Sequence, residues 1–463
     1  KNQISSIKLK LIQIQRLTAS CLIKNKVSSC NTIKRNVFFT ISIIYYSHIF
    51  IFLLNLIVKP RKISGAVEFL AIVEVIILSV TFLDDWIVYI VCFLALVCYV
   101  IFYSWCPTAN LTPPTASNTE YAEKRLKCIT LCRASVFLIT AVCISAVDFP
   151  IFPSHLVKSR DGTPGLMDSG IGLFVFSIAV IPKKEIRLDS TLKTLKSAAP
   201  LLVLGVLRTV ILKIINYHQD VTEYGLHWNA FLTIAITKFF GETLCKLAVN
   251  KLTLCTIIII LHEIALQSGL GSWTISFEVG RDTFLEANRE GIISLPGFVA
   301  IYLASVHISD ILTADSLTLT RHSLDQKRKQ LIFLTLAVCV ILVLVIPISH
   351  ICRRTANMGY FLWIILIALV MLSLFMNLER YAMFTSKTHK DLTVFELPTI
   401  TEAVNYNALF FFVISNVLTG VINMFCNTSG RSSLASFIIL NFYMILVCSP
   451  VIYLYKCKKK IKL

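Results

Sequence analysis

The sequence predicts an all-α polytopic membrane protein with about thirteen transmembrane helices in one domain. Three features of the composition predict this fold class. Of the 463 residues, 56% are hydrophobic and only 15% are charged, and the mean hydropathy is +0.76. Soluble chains carry roughly 25% charged residues, so this chain has too few charges to cover a soluble globule. The composition therefore excludes a soluble enzyme and also a disordered chain, which needs low hydrophobicity.

Apolar runs long enough to cross a bilayer follow one another along the chain. A hydrocarbon core about 30 Å thick needs roughly 20 apolar residues per helix. The first five predicted spans are 36–57, 65–83, 86–105, 128–147 and 167–182, and the last of these is short for a full crossing. The next four are 198–215, 226–245, 252–266 and 294–312. The last four are 331–351, 360–378, 408–425 and 434–455.

The distribution of basic residues predicts the orientation and the partners. The odd-numbered loops and the tail hold 25 Lys and Arg, whereas the even-numbered loops hold 7. By the positive-inside rule, the odd loops and the tail face the cytoplasm. The same rule accounts for the net charge of +18 without a nucleic-acid partner. The predicted organisation is an atypical basic segment (1–36) with no assigned function, a membrane domain (37–455) and a basic cytosolic tail (456–463).

Polar residues at membrane depth are costly and are functional candidates by default. They collect in three even-numbered loops, which share one face of the membrane, and we expect an active site there. Arg208 lies in the middle of a predicted span, where a buried cation needs a carboxylate or a lipid phosphate. The candidates in the loops are Asp148, Lys158, Asp168, Glu223, His227, Asn229, Asn288, Arg289 and Glu290. The fifteen cysteines form no CxxC pair and no Cys/His ligand spacing, so neither a metal site nor a disulfide framework is predicted.

Each candidate also has a structural interpretation. Asp148 and Lys158 could form an interfacial ion pair that merely ends two helices. Gly170 and Gly172 could be small residues at a helix–helix contact. His227 could be a hydrogen-bonded histidine at the start of a helix. The residues alone leave these alternatives open.

Five strings in these regions resemble the PIG-W family, the inositol acyltransferases of glycosylphosphatidylinositol (GPI) anchor biosynthesis. They occur in the family's order and spacing: AVDFPIFP (146–153), GLMDSGIGLFVFS (165–177), VTEYGLHWNAFLT (221–233), ANREGIISLPGFVAIYLA (287–304) and SNVLTGVINM (415–424). The family's thirteen-span topology agrees with the hydropathy prediction. The chain departs from the family at Ser154 and His155, where the family usually has two arginines, while Lys158 keeps its place.

The resemblance implies transfer of a palmitoyl-type fatty acyl group from acyl-coenzyme A (acyl-CoA) to the inositol 2-hydroxyl of glucosaminyl-phosphatidylinositol. It also implies a multi-pass protein of the endoplasmic reticulum membrane. Acyl-CoA would be a co-substrate, with membrane lipid around the protein. No bound cofactor, metal or obligate protein partner is implied.

The resemblance also suggests roles for the candidates. Asp148 would be the general base, and Lys158 would keep it charged and oriented or donate to the oxyanion. His227 is the alternative base, because histidine titrates near neutrality. Arg208 would bind a phosphate. The remaining substrate-binding candidates are Asp168, Glu223, Asn229, Asn288, Arg289 and Glu290, of which the last four would hydrogen-bond sugar and inositol hydroxyls.

Two questions stay open at the level of sequence. Acyl-CoA is made in the cytoplasm, whereas the charge count places the candidate loops on the opposite side. Either the thioester reaches them through a cavity between helices, or the loops re-enter the membrane. The rival function is a transporter of an anionic lipid or metabolite, although the chain lacks the paired halves of many carriers. A non-catalytic scaffold would not need three polar clusters on one face.

Overall fold

A computed structural model describes residues 40–51, 65–105, 126–159, 164–181, 191–214, 220–247, 250–313, 321–385 and 397–461. In these ranges the regular elements are all helices, and no strand occurs. The prediction of an all-α protein is therefore confirmed. Every predicted span contains or overlaps a helix of the structure.

The helices are labelled here in chain order. Those of eight or more residues, with continued segments counted as one helix, are α1 (Thr40–Ile51), α2 (Gly65–Glu68, continued by Phe69–Glu74 and Val75–Ser79), α3 (Ile87–Trp105), α4 (Lys127–Ala146), α5 (Leu166–Ala179), α6 (Thr191–Ile214), α7 (Ala230–Leu247), α8 (Lys251–Ala265, continued by Leu266–Leu270 and Gly271–Ile275), α9 (Leu295–Thr313), α10 (Arg321–Val345), α11 (Met358–Thr385), α12 (Thr399–Tyr406), α13 (Ala408–Phe425) and α14 (Ser433–Lys456). Shorter helical segments are Ser154–Leu156, Phe284–Ala287 and Arg289–Ile293.

Eight of the described helices are long and apolar enough to cross a membrane, namely α4, α6, α8, α9, α10, α11, α13 and α14. Helices α1, α3 and α5 are apolar but shorter. These lengths and compositions support a polytopic membrane protein. The number of thirteen crossings stays a prediction.

Four helices form the centre of the bundle. Helix α4 packs against α5 and α11, and α9 packs against α5 and α11. In α4 and α11, 78% of the spanning residues are buried, against 17% in α6 and α10. Helices α6 and α10 lie at the periphery on α7 and α11, and they expose apolar residues such as Val203 and Leu336. Outward-facing apolar side chains are typical of helices that contact lipid.

The structure differs from the hydropathy prediction in two segments, where polar residues are helical. Helix α10 begins at Arg321, ten residues before the predicted span at 331. Its first turns are charged but joined by ion pairs, since Asp325 contacts both Arg328 (3.6 Å) and Arg380 (2.6 Å). Helix α12 lies in a segment predicted as a loop. A hydropathy window measures apolarity and therefore misses helical turns that are polar.

Candidate active site

A cavity of about 810 Å³ lies between α4, α5, α6, α13 and the segment before α7. Four of the ten predicted site residues line it: Asp148, Lys158, Arg208 and Glu223. The polar wall also includes Asp220, Tyr224 and Asn423, and the apolar part includes Val136, Phe174, Phe231, Met371 and Phe412. Asn423 and Phe412 are eleven residues apart on α13, which corresponds to about 16 Å along the helix axis. The cavity therefore combines a polar end with a long apolar end.

Asp148 lies two residues beyond the end of α4, in a turn closed by the bond from Phe149 N to Ala146 O (3.0 Å). Its Oδ2 accepts a hydrogen bond of 2.7 Å from Nδ2 of Asn423. Among the described residues, none donates a hydrogen bond to Oδ1. Burial raises the pKa of Asp148 above its ordinary value, and the Asn423 bond and the charge of Lys158 offset only part of this rise. A carboxylate that is partly buried and bonded on one oxygen is suited to accept a proton on the other.

Lys158 forms its ion pair with Glu223 and not with Asp148. The distance from Lys158 Nζ to Glu223 Oε2 is 2.7 Å, and both side chains are about one-third exposed or less. Burial would raise the pKa of Glu223, but the charges of Lys158 and Arg353 hold it below its ordinary value. Glu223, which the sequence predicts to bind substrate, thus contacts Lys158 of the same site. If Asp148 and Lys158 merely ended two helices, they should form an ion pair with each other. In the described structure Lys158 pairs with Glu223.

Asp168 anchors the segment that carries Lys158, and it does not line the cavity. Its Oδ2 accepts hydrogen bonds from Ser159 N (3.0 Å) and Gly165 N (2.9 Å). Its Oδ1 accepts from Arg353 Nε at 2.8 Å, and both of these side chains are nearly fully buried. Gly165 is required here because a Cβ at this position would lie 2.2 Å from Val157 O. The sequence predicts that Asp168 binds substrate. In the structure, its carboxylate bonds other groups of the protein.

The third predicted cluster lies behind the cavity wall. Asn288, Arg289 and Glu290 are at most 2% exposed, and none of them lines the cavity. Arg289 donates to the backbone carbonyls of Thr274, Ser276, Val279 and Gly280. Glu290 accepts from Arg281 (2.6 Å) and, more weakly, from Arg354 (3.4 Å).

This buried cluster shapes the segment before α7. Asn288 Oδ1 accepts from His227 N (2.8 Å), Leu226 N donates to Ala287 O (2.8 Å), and Gly291 N donates to Tyr224 O (2.9 Å). Gly225 has φ +124°, and a Cβ there would lie 2.5 Å from Asn288 Cα. The loop with Glu223 and the loop with Asn288 are therefore in direct contact, as the sequence predicts for clusters on one face.

His227 and Asn229 are both close to the cavity but do not line it. The His227 side chain is exposed, and its backbone makes the bond to Asn288. Asn229 is buried and donates to Gly205 O (2.8 Å) and Thr209 Oγ1 (2.9 Å) on α6. Asn229 thereby fixes the start of α7 against the part of α6 that carries Arg208.

Sequence reasoning missed Asn423, although it lies in one of the strings that carry the family resemblance. Its signal is the spacing of Asn416, Thr419, Gly420 and Asn423, which places small or polar residues on one face of an otherwise apolar helix. All four line the cavity. In the described part of the chain, no group of three His, Cys, Asp or Glu side chains is placed to hold a metal ion.

Comparisons with known proteins agree with the resemblance found in the sequence. The GWT1 family model matches residues 23–454. GPI-anchored wall transfer protein 1 of Schizosaccharomyces pombe is 32% identical over 344 residues, which cover 72% of this chain and 73% of that protein. Human glucosaminyl-phosphatidylinositol-acyltransferase PIGW is 31% identical over 368 residues, covering 70% and 72%. An uncharacterised Arabidopsis thaliana protein is 31% identical over 313 residues, covering 67% and 69%. The chain therefore belongs to the GWT1 family of membrane acyltransferases.

Proposed function

We propose that this protein transfers a palmitoyl-type acyl group from acyl-CoA to the inositol 2-hydroxyl of glucosaminyl-phosphatidylinositol. The reaction would take place in the endoplasmic reticulum membrane, with the C-terminal tail in the cytosol. The observation that carries the proposal is the cavity, because Asp148 and Lys158 lie at its polar end and an apolar space continues between the helices. The human relative is a glucosaminyl-phosphatidylinositol-acyltransferase by name, which supports the acceptor lipid.

The proposed reaction needs one base and one oxyanion donor. Asp148 takes the proton from the inositol hydroxyl while the hydroxyl oxygen attacks the thioester carbonyl carbon. The carbonyl oxygen becomes an oxyanion, to which the ammonium of Lys158 donates a hydrogen bond. The C–S bond then breaks, and the thiolate of coenzyme A receives the proton held by Asp148. The products are the inositol ester and free coenzyme A.

The positions of the other charged residues support this assignment. An ammonium has three N–H donors, and Glu223 accepts from one of those of Lys158. Glu223 would therefore orient the lysine, and Arg208 on the cavity wall would bind the lipid phosphate. His227 is a weaker candidate for the base because its side chain does not line the cavity.

The buried polar residues would build the walls rather than touch the substrate. Asn229, Asn288, Arg289 and Glu290 all bond within the protein. Asp168 does the same. The proposal therefore assigns substrate contact to Asp148, Lys158 and Arg208, which line the cavity.

The cavity also supports one of the two routes for the thioester. Its apolar part reaches Val136 in α4 and Met371 in α11, both well inside their helices. An acyl chain threaded along this space would bring the thioester to Asp148 without re-entry of the loops. This route requires that the acyl chain and the adjoining arm of coenzyme A enter between helices.

The experiment is acylation by the purified full-length protein in lipid nanodiscs. The substrates are glucosaminyl-phosphatidylinositol and palmitoyl-CoA, and mass spectrometry follows the lipid and free coenzyme A together. The expected result is one palmitoyl group added per coenzyme A released, with the ester on the inositol ring. Uptake of either substrate into proteoliposomes without any acylated lipid would contradict the proposal and favour the transporter.

A further inference from the structure

We infer that Asn423 positions Asp148, so that one carboxylate oxygen is held and the other is presented to the acceptor hydroxyl. This inference rests on the proposed function, since it needs Asp148 to be the base. Asn423 belongs to α13, and its Nδ2 lies 2.7 Å from Asp148 Oδ2 across 275 residues of sequence. An ionised carboxylate only accepts hydrogen bonds, so the amide must present its NH₂ group to it.

The neighbours of Asn423 on the same face of α13 show that its contact is distinctive. Asn416 donates to Phe412 O of its own helix (2.8 Å), and Thr419 donates to Ser415 O (2.9 Å). Both polar groups are thus bonded along the helix. Asn423, on the same cavity wall, donates to a charged side chain on another segment.

The position of Asp148 explains why such a contact is needed. The residue lies in a turn after α4, where the helix no longer restricts its side chain as it does inside a regular turn. A bond to Oδ2 selects one orientation of the carboxylate. In a reaction where a misplacement of about 1 Å costs up to about 10²-fold in rate, this selection contributes directly to turnover.

The hydrogen bond from Asn423 also lowers the pKa of Asp148. Hydrogen bonding to the charged form favours ionisation. The charged groups that share the cavity are Lys158, Arg208, Asp220 and Glu223. Removal of the Asn423 amide changes none of these groups, so its effect on the pH dependence of the reaction reports on Asp148.

The test compares two variants of Asn423 with a matched control. Asn423→Ala removes the donor, and Asn423→Asp keeps the size but places a second carboxylate against Asp148. Asn416→Ala is the control, because it removes an amide from the same helix face without touching Asp148. We measure kcat, the KM for palmitoyl-CoA and the pH dependence of kcat/KM in nanodiscs, normalised to folded protein.

We expect kcat to fall about 10- to 100-fold in Asn423→Ala, with little change in KM. The acidic limb of kcat/KM should move to higher pH in Asn423→Ala and further in Asn423→Asp, because a like charge disfavours the ionised form of Asp148. The pH profile of Asn416→Ala should overlay that of the wild type. If Asn423→Ala does not accumulate, the isosteric Asn423→Asp carries the same test.

A double-variant comparison separates positioning from a purely structural role. If Asn423 acts through Asp148, Asn423→Ala should cause no further loss in the Asp148→Asn background. Additive losses, or variants of Asn423 with the wild-type pH profile, would overturn the inference. Full activity of Asp148→Asn itself would instead contradict the proposed base, so the two failures are distinguishable.

Discussion

Replacement of Asp148 by Asn tests the catalytic proposal most directly. In the wild type, Asn423 bonds the Asp148 carboxylate at 2.7 Å. Asparagine at position 148 keeps the size of the side chain and one acceptor oxygen for this bond. What the change removes is the negative charge and the ability to take a proton. We therefore expect the variant to insert and accumulate like the wild type but to lose inositol acylation.

The magnitude follows from comparing the two roles that Asp148 could have. A partly solvated charge interaction contributes only about 0–1 kcal/mol, and Asp148 forms no direct ion pair with Lys158 in the structure. A structural aspartate should thus tolerate Asn with near-normal turnover. A general base should not, because positioned proton transfer supplies a factor of about 10²–10⁴.

The assay is conversion of glucosaminyl-phosphatidylinositol to its acylated form, normalised to protein level. Asp220→Asn is the matched control, because it neutralises another carboxylate on the same cavity wall. Asp220 Oδ1 accepts from Thr222 N (2.9 Å) and Thr222 Oγ1 (2.6 Å) within its own turn, so we expect near-normal turnover. Lys158→Met should behave like Asp148→Asn. Turnover by Asp148→Asn within a few-fold of the wild type would refute the reasoning and move the base to His227.

Three further predictions concern the cavity, the pH dependence of stability and the topology. Phe412 packs on Phe174 with ring centroids 4.4 Å apart at the apolar end of the cavity, so Phe412→Ala should shift the preference toward longer acyl-CoA donors; an unchanged chain-length profile would contradict this. The hydrogen bond from His155 to Asp84 (2.9 Å) raises the pKa of His155. The stabilisation from the His155–Asp84 pair should be present below about pH 6.5 and lost as the pH rises through the raised pKa. The melting temperature of the wild type should therefore fall more in that window than that of His155→Arg. Parallel melting curves of the two proteins would contradict this prediction. Asn427 is an exposed acceptor, and it should be glycosylated in the endoplasmic reticulum lumen when an inserted spacer moves it away from the membrane. A site introduced in the predicted cytoplasmic loop 106–127, at a position outside the described residues, should not be glycosylated. The reverse pattern would overturn the orientation.

The fold was predictable because bilayer thickness and backbone hydrogen bonding leave few alternatives to apolar helices. The predicted span 360–378 lies inside α11, and the predicted span 408–425 has the same bounds as α13. The polar start of α10 was missed because a hydropathy window measures only apolarity, whereas the charged Asp325 at this start contacts Arg328 and Arg380. Hydropathy predicts where a chain can enter a membrane, but it does not predict how far a helix extends beyond it.

The candidate site was predictable in its location but not in its partners. Asp148, Lys158 and Glu223 meet at one cavity, as their loops on one face suggested. The sequence could not reveal that Glu223 pairs with Lys158 or that Arg289 is fully occupied by backbone carbonyls. All of them are charged residues of the even-numbered loops. Only three-dimensional contacts distinguish a side chain that faces the cavity from one that supports its wall.

The number of bonded atoms on each polar group provides that distinction in physical terms. In a low-dielectric interior, a buried polar group without partners costs free energy, so the supporting residues are extensively bonded, as the four carbonyls around Arg289 show. A reacting group must be held, yet it must keep an atom for the substrate. Within the described residues, Asp148 is bonded through one oxygen by Asn423, and Lys158 is bonded by Glu223 alone. We therefore propose that the reacting groups are Asp148 and Lys158, which line the cavity and keep unbonded atoms, and that extensively bonded neighbours such as Arg289 support the wall.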